Sequence, residues 1–159
     1  MVRFDGVDDA MAMALPSLDP ALDTYIFVAM QPVTNTGSFS FSLSGSGGQM
    51  NVVNFAFIPQ MSCYRIGGSA SEALLYGAYG TGASILAEAR SIGQYPIIYD
   101  IRTGAQHNGG LNGGFHPFTS FGIGGPNTTL VKEVILIHGV TLTPAQLTTI
   151  RDYLLATYP

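Results

Sequence analysis

Gly122-Ile123-Gly124-Gly125-Pro126, then Leu130-Val131-Lys132-Glu133-Val134-Ile135-Leu136-Ile137-His138, then Leu142-Thr143-Pro144-Ala145-Gln146-Leu147: this stretch decides the fold. A glycine-rich turn leads into a dense apolar run, and after a short hinge one amphipathic helix spans Thr143 to Thr157. The local helix signals agree. Thr143 is a good N-cap, Pro144 takes the first helical position, and Gln146 at N3 completes a capping box. Leu142 at N′ can pack on Leu147 at N4, and Leu147, Ile150 and Leu154 form one apolar stripe. Losing the cap through Thr143→Ala costs about 1 kcal/mol, because a backbone N–H loses its partner. Upstream the pattern alternates, so this lone helix closes off a β protein.

Working back from that end, the chain reads as short strands and turns. Tyr25-Ile26-Phe27-Val28-Ala29-Met30 is a continuous apolar run, as expected of a strand buried on both faces. Ser38-Phe39-Ser40-Phe41-Ser42-Leu43 alternates strictly, with its serines toward water and Phe39, Phe41 and Leu43 toward the core. Gly45-Ser46-Gly47-Gly48 turns the chain and Val52 to Ile58 returns. Cys63 to Ile66 and Ala73 to Tyr76 form a further hairpin around Gly67-Gly68. Ile97 to Arg102 alternates, Asn108-Gly109 supplies a tight turn that tolerates positive φ, and Asn112-Gly113-Gly114 supplies a second. Thr119 to Ile123 and Leu130 to His138 bring the count to about ten strands. The expected fold is all-β: a two-sheet antiparallel jelly-roll sandwich with one C-terminal α-helix, as a single domain over residues 1–159.

Composition narrows the function. A chain of 159 residues can bury roughly two-thirds of its unfolded surface. Charged residues make up 10% of it, against about 25% in an average soluble protein. Lys132 is the sole lysine, and the net charge is −4. The scattered cations form no basic stripe, so nucleic-acid binding is not expected. Cys63 stands alone, which rules out an intrachain disulfide and reads as a buried small hydrophobe. Met1-Val2-Arg3-Phe4-Asp5 lacks an apolar signal region, and no apolar stretch is long enough to cross a bilayer as a helix. Two readings of the neutral surface stay open: other subunits cover part of it, or it is the Ser/Thr/Gly face of a soluble monomer.

The two ends together resemble a known family. Val2-Arg3-Phe4-Asp5-Gly6-Val7-Asp8-Asp9 is similar to the opening of laminin-G-like, concanavalin A-like jelly-roll domains. Ile123-Gly124-Gly125, Glu133 to Ile137, Leu142 to Gln146 and Tyr153-Leu154 resemble that family's closing pattern, and Asn108-Gly109 its central turn. The resemblance implies that the first and last long strands are neighbours, with Phe4 helping to seal one sheet and the helix covering an open edge or end. It does not fix an activity, because one architecture hosts many.

Each chemistry that the family admits can be tested on the residues. Some relatives bind calcium through loop carboxylates. Here Asp5, Asp8 and Asp9 are the candidates, although such aspartates also serve simply to close a turn. No other cofactor is expected. Relatives that hydrolyse polysaccharides carry paired carboxylates on one strand, and retaining chemistry needs them about 5 Å apart. Glu72, Glu88 and Glu133 are far apart in sequence and Asp100 is alone in its strand, so no enzyme is expected. His107, His116 and His138 lack zinc-ligand spacing; His138 reads as packed or capping. Gly77-Ala78-Tyr79-Gly80-Thr81-Gly82 has no lysine to hold a phosphate, and no nucleophile-elbow pattern is present.

Binding and assembly remain. Tyr76 and Tyr79, set in glycine-rich sequence, are the best candidates for exposed aromatic contacts. Arg65, His107, Asn108 and His116 join them as interface candidates, and Arg102 is a further cation for a sugar face. Single domains of this kind resemble accessory proteins of tailed bacteriophages. The expected function is therefore a non-enzymatic virion structural protein, a capsid decoration or a tail or fibre accessory, assembled in the host cytoplasm. Its partners would be other virion proteins or further copies of itself. The alternative is a glycan-binding, lectin-like module or adhesin that recognises cell-surface sugars.

Overall fold

The computed structural model describes residues 1–5, 10–34, 37–46, 48–55, 60–67, 69–77, 79–92, 95–110 and 117–159, with the side chains at 48, 53–55, 64–67 and 69–71 outside the description. The first sheet holds β1 (Val2–Phe4), β3 (Thr24–Pro32), β8 (Ile85–Ile92), β9 (Tyr95–Asp100), β10 (Gln106–Asn108) and β12 (Thr129–His138), in the order β1-β12-β3-β8-β9-β10. The second holds β2 (Ala10–Leu18), β4 (Ser38–Gly45), β5 (Gly48–Phe55), β6 (Gln60–Gly67), β7 (Ser69–Tyr76) and β11 (Phe118–Gly124), in the order β2-β11-β4-β5-β6-β7. All pairings are antiparallel. Helix α1 runs from Pro144 to Thr157.

Period-two patterning sets the core. Phe39, Phe41 and Leu43 turn inward from β4 and are fully buried, as are Met50, Val52, Met61 and Cys63 on the next strands. Ile26, Val28 and Met30 of β3 meet them from the first sheet. Phe4 packs edge-on against Phe39 at 5.1 Å while its backbone pairs with Thr129, so the first strand does lie beside the last. At the far end of β12, His138 Nδ1 lies 2.9 Å from Thr24 Oγ1, a packed end-of-strand histidine.

The other face of the first sheet is also buried, which is why β3 is apolar at successive positions. Tyr25, Phe27, Ala29 and Leu86 point away from the sandwich and meet Leu147 and Leu154 of α1. The helix therefore lies on the outer face of the first sheet rather than over an open edge or end. Its apolar stripe has a matching apolar sheet face to cover, and burying one leucine there contributes about 2 kcal/mol. The capping box at Thr143 and Gln146 is complete. Glu88, fully buried between sheet and helix, accepts a hydrogen bond from Arg151 Nε at 2.6 Å. Arg90 Nε lies 2.7 Å from the other carboxylate oxygen, a charge contact without hydrogen-bond alignment.

Some details differ from the sequence reading. Twelve strands stand among the described residues where about ten are expected, since strands such as β2 and β8 carry weak or mixed patterns. Gly122 and Gly124 belong to β11, and the chain turns after them. Asn108-Gly109 does not make the hairpin turn. Asn108 ends β10, and the turn after β9 falls at residues 101–105, where Gly104 adopts φ +74°. Asp100 wins that contest because its carboxylate accepts the turn's own N–H groups. Asn112-Gly113-Gly114 and residues 56–58 of the returning strand lie outside the described residues.

Candidate functional site

The Asp100 turn forms one wall of a hollow at the end of β7 and β9. Asp100 Oδ1 accepts from the backbone N–H of Arg102 at 2.8 Å and of Thr103 at 3.2 Å, and the Gly104 N–H donates to the Asp100 carbonyl at 2.9 Å. Asp100 Oδ2 accepts from the Tyr79 hydroxyl at 2.8 Å. This carboxylate thus ties the loop after β7 to the loop after β9. Burial, first, and then the hydrogen bond and negative charge of Asp100 hold the Tyr79 phenol above its ordinary range.

Arg102 makes the next tie. Its Nε donates to the Ser84 carbonyl at 2.8 Å, and its Nη2 to Ser84 Oγ at 2.8 Å and to the Tyr158 carbonyl at 2.5 Å. The guanidinium is exposed, and no bond among the described residues uses its Nη1. Together these ties frame an open cavity of about 440 Å³, lined by Tyr76, Tyr79, Ser84, Asp100, Arg102 and Thr103 among others. Tyr76 stands at its rim with 70% of its surface exposed. An exposed aromatic ring beside an arginine and a threonine hydroxyl can stack on a flat apolar face while hydrogen-bonding the polar groups at its edge.

A second hollow, of about 340 Å³, runs over the outer face of the second sheet. Ser40, Ser42, Ser44 and Ser120 line it with Ala10, Ala12, Gly122 and Gly124. Its hydroxyls are turned onto the sheet itself. Ser40 Oγ donates to the Gly124 carbonyl at 3.2 Å, Ser42 Oγ to the Gly122 carbonyl at 3.5 Å, and Ser44 Oγ lies 2.8 Å from Ser120 Oγ.

The residues singled out from the sequence are dispersed. Tyr76 and Tyr79 both line the cavity, but only Tyr76 is exposed; Tyr79 is 6% exposed because its hydroxyl is drawn in to Asp100. His107 is exposed on β10, where its Nδ1 accepts the Leu74 N–H of β7 at 3.1 Å. Asn108 accepts from Gln106 Nε2 at 2.9 Å. Arg65 takes a place in β6 opposite Met50 and Ser71, and its side chain lies outside the description, as does all of His116. Asp5 offers its backbone carbonyl to Thr128 Oγ1 at 2.6 Å, while Asp8 and Asp9 lie outside the described residues. Among the described residues no three His, Cys, Asp or Glu side chains gather as metal ligands would. Ser84 and Thr103 also line the cavity, and nothing local in the sequence marks Ser84. The signal for Thr103 is present in Asp100-Ile101-Arg102-Thr103-Gly104, an aspartate-led turn closed by glycine.

No protein-family model matches this chain, and no curated protein matches it by sequence. Solved structures do match in fold. The galectin LEC-6 of Caenorhabditis elegans superposes with a TM-score of 0.59 at 13% identity, over 86% of this chain and 96% of that one. The carbohydrate-binding module CBM66 from Bacillus subtilis gives 0.61 at 10% identity, over 81% of this chain and 82% of that one. Domains LG4-5 of the mouse laminin α1 chain give 0.66 at 11% identity, over 89% of this chain and 43% of that one. The architecture is the concanavalin A-like jelly roll that laminin-G domains and galectins share. At such identities the likeness is one of fold.

Proposed function

We propose that this chain is a glycan-binding module and that the cavity between Tyr76 and Arg102 takes the sugar. The observation that carries the reading is the company Tyr76 keeps. An exposed tyrosine ring stands beside a tethered arginine, a threonine and a serine at the mouth of an open cavity. Sugars present apolar C–H faces edged by hydroxyls, and that combination of stacking surface and fixed donors matches them. Fold likeness to a galectin and to a carbohydrate-binding module supports the reading without fixing a sugar. Arg102 is held by Ser84 and the Tyr158 carbonyl, so little entropy is lost when it meets a ligand.

A glycan array with the purified chain, followed by titration calorimetry on the strongest hit, tests this. Tyr76→Ala is expected to weaken binding about tenfold, equivalent to ~1.4 kcal/mol, with the melting temperature unchanged. A uniformly blank array contradicts the reading. Attachment to a virion stands second. It has the sparse surface charge in its favour, and none of the three structures compared above is a virion protein.

A further inference from the structure

The last turn of α1 has few anchors of its own. From Asp152 to Thr157 the chain buries only Leu154. That turn carries no basic residue to meet the negative end of the helix dipole, and its C-cap is Tyr158, at φ −128° and ψ 67°. Pro159 disfavours helical backbone at the residue before it, so the helix has to end at Tyr158. The Tyr158 carbonyl is left without an intrahelical partner. Arg102 supplies both missing parts. Its Nη2 donates to that carbonyl at 2.5 Å, and it brings a positive charge to the helix end from the turn after β9.

The side chain of Tyr158 anchors the same residue from the other direction. Its hydroxyl donates to Glu133 Oε2 at 2.9 Å, and its half-buried ring packs against the cluster that includes Ala29 and Leu86. Glu133 stands on β12, which β3 and β8 separate from β9. One residue therefore ties the far side of the sheet to the wall of the cavity, and Pro159 lines that cavity beside Arg102.

We infer that Tyr158 and Pro159 form a strap that fixes Arg102 in the pose that meets a sugar, so that filling the cavity and docking the last turn of α1 reinforce each other. This rests on the sugar reading of the cavity. Arg102 is the shared part: Nε and Nη2 are committed to Ser84 and Tyr158, and Nη1 is left for the sugar. With the strap open, Nη2 keeps only its bond to Ser84 Oγ, and the side chain regains freedom that a sugar must then remove. Linkage makes the effect reciprocal. The factor by which an open strap weakens the sugar is the factor by which the sugar suppresses opening. Tyr153 provides the control. Its hydroxyl also donates to Glu133, at 3.1 Å, yet the bonds of Arg102 among the described residues go to Ser84 and Tyr158.

Two measurements on the whole chain test this. The first needs no sugar: hydrogen exchange of the Arg102 Nε–H, followed by NMR. Tyr158→Ala is expected to speed that exchange about fivefold, while Tyr153→Ala leaves it within roughly twofold of the unsubstituted chain. The second uses, in free form, the glycan that gives the strongest array signal. Tyr158→Ala is expected to weaken its binding about fivefold and Tyr153→Ala to leave it unchanged. Saturating the unsubstituted chain with that glycan is expected to slow exchange of the Tyr158 amide, which donates to the Leu154 carbonyl, by the same factor.

An unchanged Arg102 Nε–H in Tyr158→Ala overturns the inference. Equal sugar affinity in Tyr158→Ala and the unsubstituted chain also overturns it, and leaves the sugar reading standing. A blank array removes the sugar reading instead, and the first measurement then decides whether the strap holds Arg102. Should Tyr158→Ala fail to fold, Tyr158→Phe, which drops only the Glu133 tie, takes its place: Nε–H exchange no faster than in Tyr153→Phe counts against the strap.

Discussion

The cavity beside Tyr76 and the serine face of the second sheet are both hollows, yet their polar atoms are employed differently. On the serine face the hydroxyls close onto the sheet's own carbonyls and onto one another. Around the cavity, buried Asp100 holds the walls while Tyr76 and the rest of Arg102 are left facing solvent. Concavity alone does not make a binding site. What makes one is a rigid buried frame that leaves an aromatic ring and charged donors uncommitted.

The severest way to break this comparison is to remove the frame. Asp100→Ala deletes the acceptor for the Tyr79 hydroxyl and for two turn N–H groups. It is expected to cost about 3 kcal/mol in urea unfolding and to abolish sugar binding. An equally large loss from any serine of the second sheet would erase the distinction.

A pH measurement sharpens the same contrast. The Tyr79 phenol is held above its ordinary range in the folded chain, whereas in the unfolded chain it ionises near pH 10. The unfolded state then loses the proton first, so this contribution is fully present below about pH 10 and is lost as pH rises beyond it. Tyr79→Phe is expected to flatten the alkaline fall in stability, measured by denaturant midpoints across that range. The smallest expected effect belongs to the serine face. Ser42→Ala gives up one long hydrogen bond and is expected to cost at most about 0.5 kcal/mol, with sugar affinity unmoved.

Much of the architecture is legible in the sequence because the contrast between faces is strong. Ser38 to Leu43 alternates serine with large apolar groups, and the structure buries every second residue. The Thr143–Gln146 capping box fixes the helix start from four adjacent residues. Strand β2 escapes notice because an exposed edge of alanine and methionine has no polar face to alternate with. Strand β8 is obscured by Glu88 and Arg90, whose charges are explained only by Arg151, which the fold brings back from the helix. The cavity is harder still. Its walls come from Tyr76 and Tyr79, from Ala83 to Leu86, from the Asp100 turn and from Pro159, and no local pattern reports that they meet. Only the aspartate-led turn at its base is written in adjacent residues.

Amide chemical-shift mapping during titration with the best array sugar tests the central claim most directly. The account predicts that perturbations concentrate at Tyr76, Ser84, Arg102 and Thr103, leaving Ser40, Ser42 and Ser120 unmoved. Shifts centred on the serine face, or none at saturating sugar, would contradict it.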